Sequence, residues 1–201
     1  MRNLISSNLP GEIVLIASNN PNAEGLKIAN SLRIKTDVVN HLEFKDRVSY
    51  DTALAAKLAR YKPDLIVLAG FMRILTETFL SQFPEKVLNI HPSLLPSFPG
   101  NKTHKNALDS GVKIHGCTVH FVTSKLDAGP IIIQAAVPVL ETDNPKSLAT
   151  RVLKEEHRIY PMAIKWFLED KLSIDKNKVF LDGELVETGS LIYPNLKASC
   201  V

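Results

Sequence analysis

Val87-Leu88-Asn89-Ile90-His91-Pro92-Ser93-Leu94-Leu95-Pro96-Ser97-Phe98-Pro99-Gly100 is the stretch from which the fold of this chain is read. An apolar run ending at Ile90 passes directly into a loop stiffened by Pro92, Pro96 and Pro99. Side chains along a strand alternate faces, so Asn89 and His91 share one face and Leu88 and Ile90 the other. The stretch predicts a strand that delivers an amide donor and an imidazole, side by side, to its C-terminal end. In an open α/β sheet that end opens onto the ligand crevice. A reaction that builds an oxyanion on a carbonyl carbon uses such a pair, one fixed hydrogen-bond donor and one acid.

Strand and helix signals alternate on both sides of this stretch. Upstream, residues 12–18, 36–39 and 64–69 read as strands. The last of these is apolar almost throughout, as in a parallel strand covered on both faces. Helical spacing runs over 23–32 and 47–60, with a short helix over 76–83 that Thr76 caps. Downstream, 102–110 reads as a helix closed by Gly111, and 115–123 and 131–139 as strands. Pro145 suits the first residue of a long helix capped by Asn144 or Asp143, and Pro161 is expected to kink or interrupt it. Residues 179–186 read as a small hairpin turning on Asp182-Gly183. The alternation predicts one α/β domain over 1–201, with a mostly parallel, twisted, Rossmann-like sheet and helices on both faces. Residues from about 188 to 201 form a tail with little signal.

With 201 residues, 45% hydrophobic and 22% charged, the chain suits a soluble globular domain that buries a sizeable core. A net charge of +3 with no basic run argues against a nucleic-acid partner and suits anionic small substrates. Cys117 and Cys200 make no CxxC and no disulfide framework, which points to a reduced cytoplasmic setting. The apolar run over 13–17 is too short for a signal segment or a membrane span.

Several further residues carry chemical signals. Asp127, in Asp127-Ala128-Gly129-Pro130, reads from composition as a turn aspartate. Thr118, His120 and Val122 share one strand face that feeds this loop. His91, His120 and Asp127 together are a ligand set of a common kind, but no HExxH-type helix pairs any of the histidines, and the reading goes against a metal. Residues 71–75 leave the end of a buried strand, where backbone groups can read a heterocycle edge between Met72, Ile74 and Leu75. Glu156 lies beside the apolar stripe Leu148, Val152, Ile159 and Met162, where a carboxylate calls for a partner. Arg47 reads as a helix-start arginine.

Asn89-Ile90-His91-Pro92-Ser93-Leu94-Leu95-Pro96 resembles the active-site signature of the 10-formyltetrahydrofolate-dependent formyltransferases. Its continuation through Asn101-Lys102-Thr103-His104 resembles the branch that acts on phosphoribosylglycinamide. Methionyl-tRNA formyltransferases continue with an Arg-Gly-Ala-Ala-Pro type of run, and formyltetrahydrofolate hydrolases carry His-His-Ser-Phe-Leu-Pro. The resemblance covers about residues 1–187. It implies catalysis by Asn89, His91 and Asp127, the last from the motif Leu-Asp-x-Gly-Pro. It implies that the folate cosubstrate is held by Arg47, Met72, Arg73, Ile74 and Leu75. It implies the same folate-binding role for Asn89, Val122, Lys125, Leu126 and Asp127. Glu156 would contact the sugar of the glycinamide substrate, beside Asn89 and His91. No metal, nucleic acid or membrane is implied, and the chain is expected as a monomer or homodimer.

The family opens with a buried strand and a Gly-Ser-Asn loop whose backbone N–H groups hold the ribose phosphate. Met1-Arg2-Asn3-Leu4-Ile5 matches the first helix after that loop, so the resemblance implies a strand and loop that precede Met1. Without them, phosphate binding and sheet stability are expected to suffer. Two other readings stay open: a formyltetrahydrofolate hydrolase, and a folate-binding module without turnover.

Overall fold

A computed structural model describes residues 1–185 and 191–192. Its helices are α1 (Arg2–Ser6), α2 (Glu24–Ser31), α3 (Arg47–Ala59), α4 (Glu77–Leu80), α5 (Thr103–Asp109) and α6 (Pro145–Leu168). The first five strands are β1 (Ile16–Ser18), β2 (Thr36–Val38), β3 (Ile66–Leu68), β4 (Val87–His91) and β5 (Ile114–Phe121). Then come β6 (Ile131–Pro138), β7 (Leu172–Asp175), β8 (Lys178–Leu181), β9 (Glu184–Leu185) and β10 (Leu191–Ile192).

β4 alternates as its sequence predicts. Val87 packs with Tyr50 and Leu54 of α3 and with Phe79 and Leu80 of α4. Leu88 faces the opposite core, with Leu148, Val152 and Ile159 of α6. Helices therefore cover both faces, and the fold is the expected α/β class. The central sheet runs β10-β6-β5-β4-β3. β3 pairs with β4, and β6 with β10, in parallel; β5 is antiparallel to both neighbours. β7, β8 and β9 form a separate antiparallel sheet.

β1 and β2 pair in parallel but stand apart from the five-stranded sheet. A cavity of about 2010 Å3 separates them, lined by Leu15, Ile16 and Ala17 on one side and Leu65, Ile66 and Val67 on the other. Among the described residues β1 pairs only with β2, and β3 only with β4. One edge of each strand thus has no ladder partner. This shortens the strands predicted over 12–18 and 64–69 to three residues each, and leaves Ile13 and Val14 at 37% and 38% exposure.

α6 starts where Pro145 predicts it. Asn144 accepts from the N–H groups of Lys146 and Ser147, and the Ser147 hydroxyl accepts from Asn144 N–H in return. Asp143 grips Arg151, further along the helix, through both guanidinium nitrogens. The helix runs on through Pro161, against the expected break. Tyr160 offsets the lost hydrogen bond: its hydroxyl lies 2.7 Å from the Leu68 carbonyl oxygen and 3.0 Å from that of Leu88, tying the helix to β3 and β4. The predicted hairpin is present as β8–β9, with Asp182 and Gly183 both at positive φ; Val186 lies outside the described residues. β7, unforeseen, adds a third strand to it. Of the expected tail, Leu191–Ile192 pairs with Gln134 and Ala135 of β6, and the rest lies outside the described residues.

Candidate active site

The antiparallel register of β4 and β5 builds the centre of the site. Asn89 lies opposite His120 and His91 opposite Thr118. His120 Nδ1 is 2.8 Å from the Phe121 carbonyl oxygen, which can only accept, so Nδ1 carries the proton. Burial lowers the His120 pKa and keeps the ring neutral. Nε2 is then an acceptor, 3.3 Å from Asn89 Nδ2. One Asn89 N–H is used here, and the second remains for a ligand.

His91 is 6% exposed. Its Nε2 lies 3.1 Å from the Phe98 carbonyl oxygen and its Nδ1 3.5 Å from Asp127 Oδ2. The same Asp127 oxygen accepts from Gly100 N–H at 2.8 Å. Asp127 takes φ 46°, and the turn is pressed so closely on β5 that a Cβ at Gly129 would stand 1.8 Å from the Phe121 carbonyl oxygen. The turn aspartate of the sequence is thus also the group facing His91, from a distant part of the chain.

The loop over residues 92–98 is fastened to β5 and β6. Thr118 Oγ1 donates to the Ser93 carbonyl oxygen at 2.7 Å and accepts from Leu95 N–H at 3.0 Å. Gln134 Nε2 donates to both Thr118 Oγ1 and the Leu95 carbonyl oxygen, each at 2.9 Å. Below this loop His115 Nε2 meets His104 Nδ1 at 3.2 Å. Burial, then the neighbouring His104 ring, pushes the His115 pKa down to about 4.

Residues 71–75 leave the C-terminal end of β3, beside Asn89. Leu75 is buried with Val87, and Phe71 and Val122 pack on the same cluster. Met72 stands out at 82% exposure and Leu126 at 50%, while Ile74 is half-buried and Lys125 exposed. The Arg73 guanidinium lies 5.0 Å from the Tyr50 ring centre, and Thr76 N–H donates to the buried Asp51 carboxylate at 2.6 Å. Both contacts hold the segment on the first turns of α3, where Arg47 is exposed next to the capping Asp46. Glu156 comes from the other layer, one turn before Tyr160. Burial raises its pKa, and the Met1 amine opposes the shift.

The structure therefore joins His91 to Asp127, with Asn89 two residues before His91 on the same strand. It sets Phe71, Leu75 and Val122 on one apolar cluster, and carries Arg47 on α3 and Glu156 on α6, the helices of opposite layers. His120 gains a partner and a defined tautomer. Gln134, Asp51, His104 and His115 were not singled out by their sequence; a polar residue within an apolar strand or helix face was the one available signal. Among the described residues, no group of three or more His, Cys, Asp or Glu is arranged to hold a metal, and no helix is long and apolar enough to cross a membrane.

A carboxylate-backed imidazole beside an oriented amide, at the strand ends of an α/β sheet, is a site for acyl-type transfer. The chain belongs to the formyl transferase family, whose model matches residues 1–164. It is 43% identical over 179 residues to the phosphoribosylglycinamide formyltransferase of Escherichia coli (strain K12), covering 89% of this chain and 84% of that protein. The phosphoribosylglycinamide formyltransferase of Coxiella burnetii, solved in complex with CHES, superposes with a TM-score of 0.91 at 41% identity, covering 96% of this chain and 92% of that one. Glycinamide ribonucleotide transformylase 1 from Symbiobacterium toebii does so with a TM-score of 0.84 at 46% identity, covering 86% and 82%.

Proposed function

We propose that this chain transfers the formyl group of 10-formyltetrahydrofolate to the amine of phosphoribosylglycinamide, giving formylglycinamide ribonucleotide and tetrahydrofolate in purine biosynthesis. The observation that carries the proposal is His91, held between Asp127 and the Phe98 carbonyl oxygen on the strand face it shares with Asn89.

The neutral amine attacks the formyl carbon, and the carbonyl oxygen gathers negative charge. The free Asn89 N–H donates to that oxygen, and so does His91 Nδ1–H, whose contact with Asp127 is long at 3.5 Å, while Nε2 stays on the Phe98 carbonyl oxygen. Asp127 faces the His91 ring and orients it. The attacking amine loses a proton, which Asp127 helps pass through water toward the folate nitrogen. The bond between the formyl carbon and that nitrogen then breaks, and tetrahydrofolate leaves with the proton. The two protein donors suffice for the oxyanion, so the scheme uses no metal.

Met72 and Leu126 are apolar side chains held in water, as expected of walls awaiting a flat heterocycle. Leu75, Val122 and Ile74 line the same side, with Arg73 and Lys125 at its edge and Arg47 toward the acidic tail of the folate. Glu156 binds the sugar of the second substrate. We place the protein in the cytoplasm, as a monomer or homodimer.

Incubation with both substrates, followed by mass spectrometry, tests the reading. Formylated glycinamide ribonucleotide and tetrahydrofolate are expected in equal amounts. Formate released without the amine substrate would make the chain a hydrolase. Folate binding with no product would make it a binding module.

A further inference from the structure

Thr118 lies in no motif, yet its side chain is fully buried where three elements meet. A hydroxyl offers one proton and two lone pairs. Thr118 Oγ1 uses all three: it donates to the Ser93 carbonyl oxygen and accepts from Leu95 N–H and Gln134 Nε2. The chain continues in the same loop, where the Ser93 hydroxyl donates to the Ser97 carbonyl oxygen at 2.6 Å. The next residue is Phe98, at φ 53°, and its carbonyl oxygen is the partner of His91 Nε2.

The direction of the Phe98 carbonyl is not set by local preference, because a non-glycine residue at positive φ is held there by its surroundings. The contact on the other side of the ring, to Asp127, is long at 3.5 Å. The aim of the imidazole therefore depends on the loop, and the Thr118 hydroxyl makes two of the hydrogen bonds that fasten the loop to the sheet, with Gln134 making a third.

We infer that the Thr118 hydroxyl is a positioning residue for His91, acting through Ser93, Leu95 and Phe98 and touching no substrate. The inference rests on the formyl-transfer reading for its kinetic test, but not for its spectroscopic one. Valine keeps the shape of threonine and leaves Ser93 O and Leu95 N without this partner. Serine keeps the hydroxyl.

The test compares Thr118→Val with Thr118→Ser, each scored per folded molecule. Thr118→Val is expected to lower kcat at least tenfold, with KM for 10-formyltetrahydrofolate changed less than threefold. Thr118→Ser is expected to recover most of the loss. In NMR spectra of the free protein, the His91 Cε1–H signal should shift in Thr118→Val and stay near its original position in Thr118→Ser. If the parent chain transfers no formyl group, the spectra still decide the matter, and the failure falls on the reading of function alone. An unmoved His91 signal in Thr118→Val overturns the inference. So does equal loss of kcat in both variants, or a Thr118→Val defect wholly explained by its unfolded fraction.

Discussion

Asn89 and His120 face each other across the β4–β5 pair, with Asn89 Nδ2 3.3 Å from His120 Nε2. The Phe121 carbonyl oxygen fixes the proton on the far side of the His120 ring. The near nitrogen must accept, so the Asn89 amide is turned with its NH2 group toward His120. An amide left without such a partner flips between two orientations of similar shape.

The first prediction follows from that orientation. His120→Phe removes the acceptor and lets the Asn89 amide turn its oxygen toward the developing oxyanion. Complete loss of such a donor costs about 10²–10³ in kcat, so partial misorientation is expected to cost on the order of 10-fold. Steady-state kinetics on the folded variant check it, and unchanged kcat would count against the assignment.

Acid sensitivity is the second. Burial lowers the pKa of His104, His115 and His120, His115 to about 4. In the unfolded chain a histidine titrates near 6.5. Between about pH 6.5 and 4 the unfolded state binds more protons, so stability falls as pH falls through that window. One such group contributes a slope of at most about 1.4 kcal/mol per pH unit. Denaturant melts at pH 7 and pH 5 should differ in this direction, and His115→Phe should reduce the difference. Equal stability at both pH values would contradict it.

The third concerns the divided sheet. Among the described residues β1 and β3 each have one edge without a ladder partner, and backbone hydrogen bonds next to such an open edge are the first to break. β1 and β3 should therefore open more readily than the centre of the sheet. Amides of Ile16–Ser18 and Ile66–Leu68 should exchange faster than those of β4 and β5. Exchange as slow as in β4 and β5 would refute this.

A fourth isolates the start of α6. Arg151, through two hydrogen bonds, holds the Asp143 carboxyl well below the usual carboxylate range. A depressed carboxylate contributes stability that is present above its unfolded value, near 3.9, and lost as pH falls through the folded value. Arg151→Ala should cost stability at pH 7, and the gap from the parent should shrink only below about pH 4. A gap that is already closed at pH 5 would show that the pair does not stabilise the helix start.

The sequence makes β4 legible because alternation and the following prolines act within a few residues. Alternation alone puts Asn89 and His91 on one face. Asp127 is legible from its residues only as a turn former, since α5 and β5 lie between it and His91 and no local period encodes their contact. Thr118 reads simply as a strand residue, and its three hydrogen bonds belong to the tertiary fold. Pro161 misleads for the opposite reason, because Tyr160 anchors the helix from outside. The runs at 12–18 and 64–69 carry strand composition, but a strand forms only where a neighbour supplies the ladder.

The most direct measurement is the turnover of His91→Ala and Asp127→Asn, with folding checked by circular dichroism. Each should bind the folate cosubstrate and lose formyl transfer by about 10²–10⁴, the usual cost of an acid or an oxyanion donor. A folded variant of either kind with near-normal turnover would contradict the account.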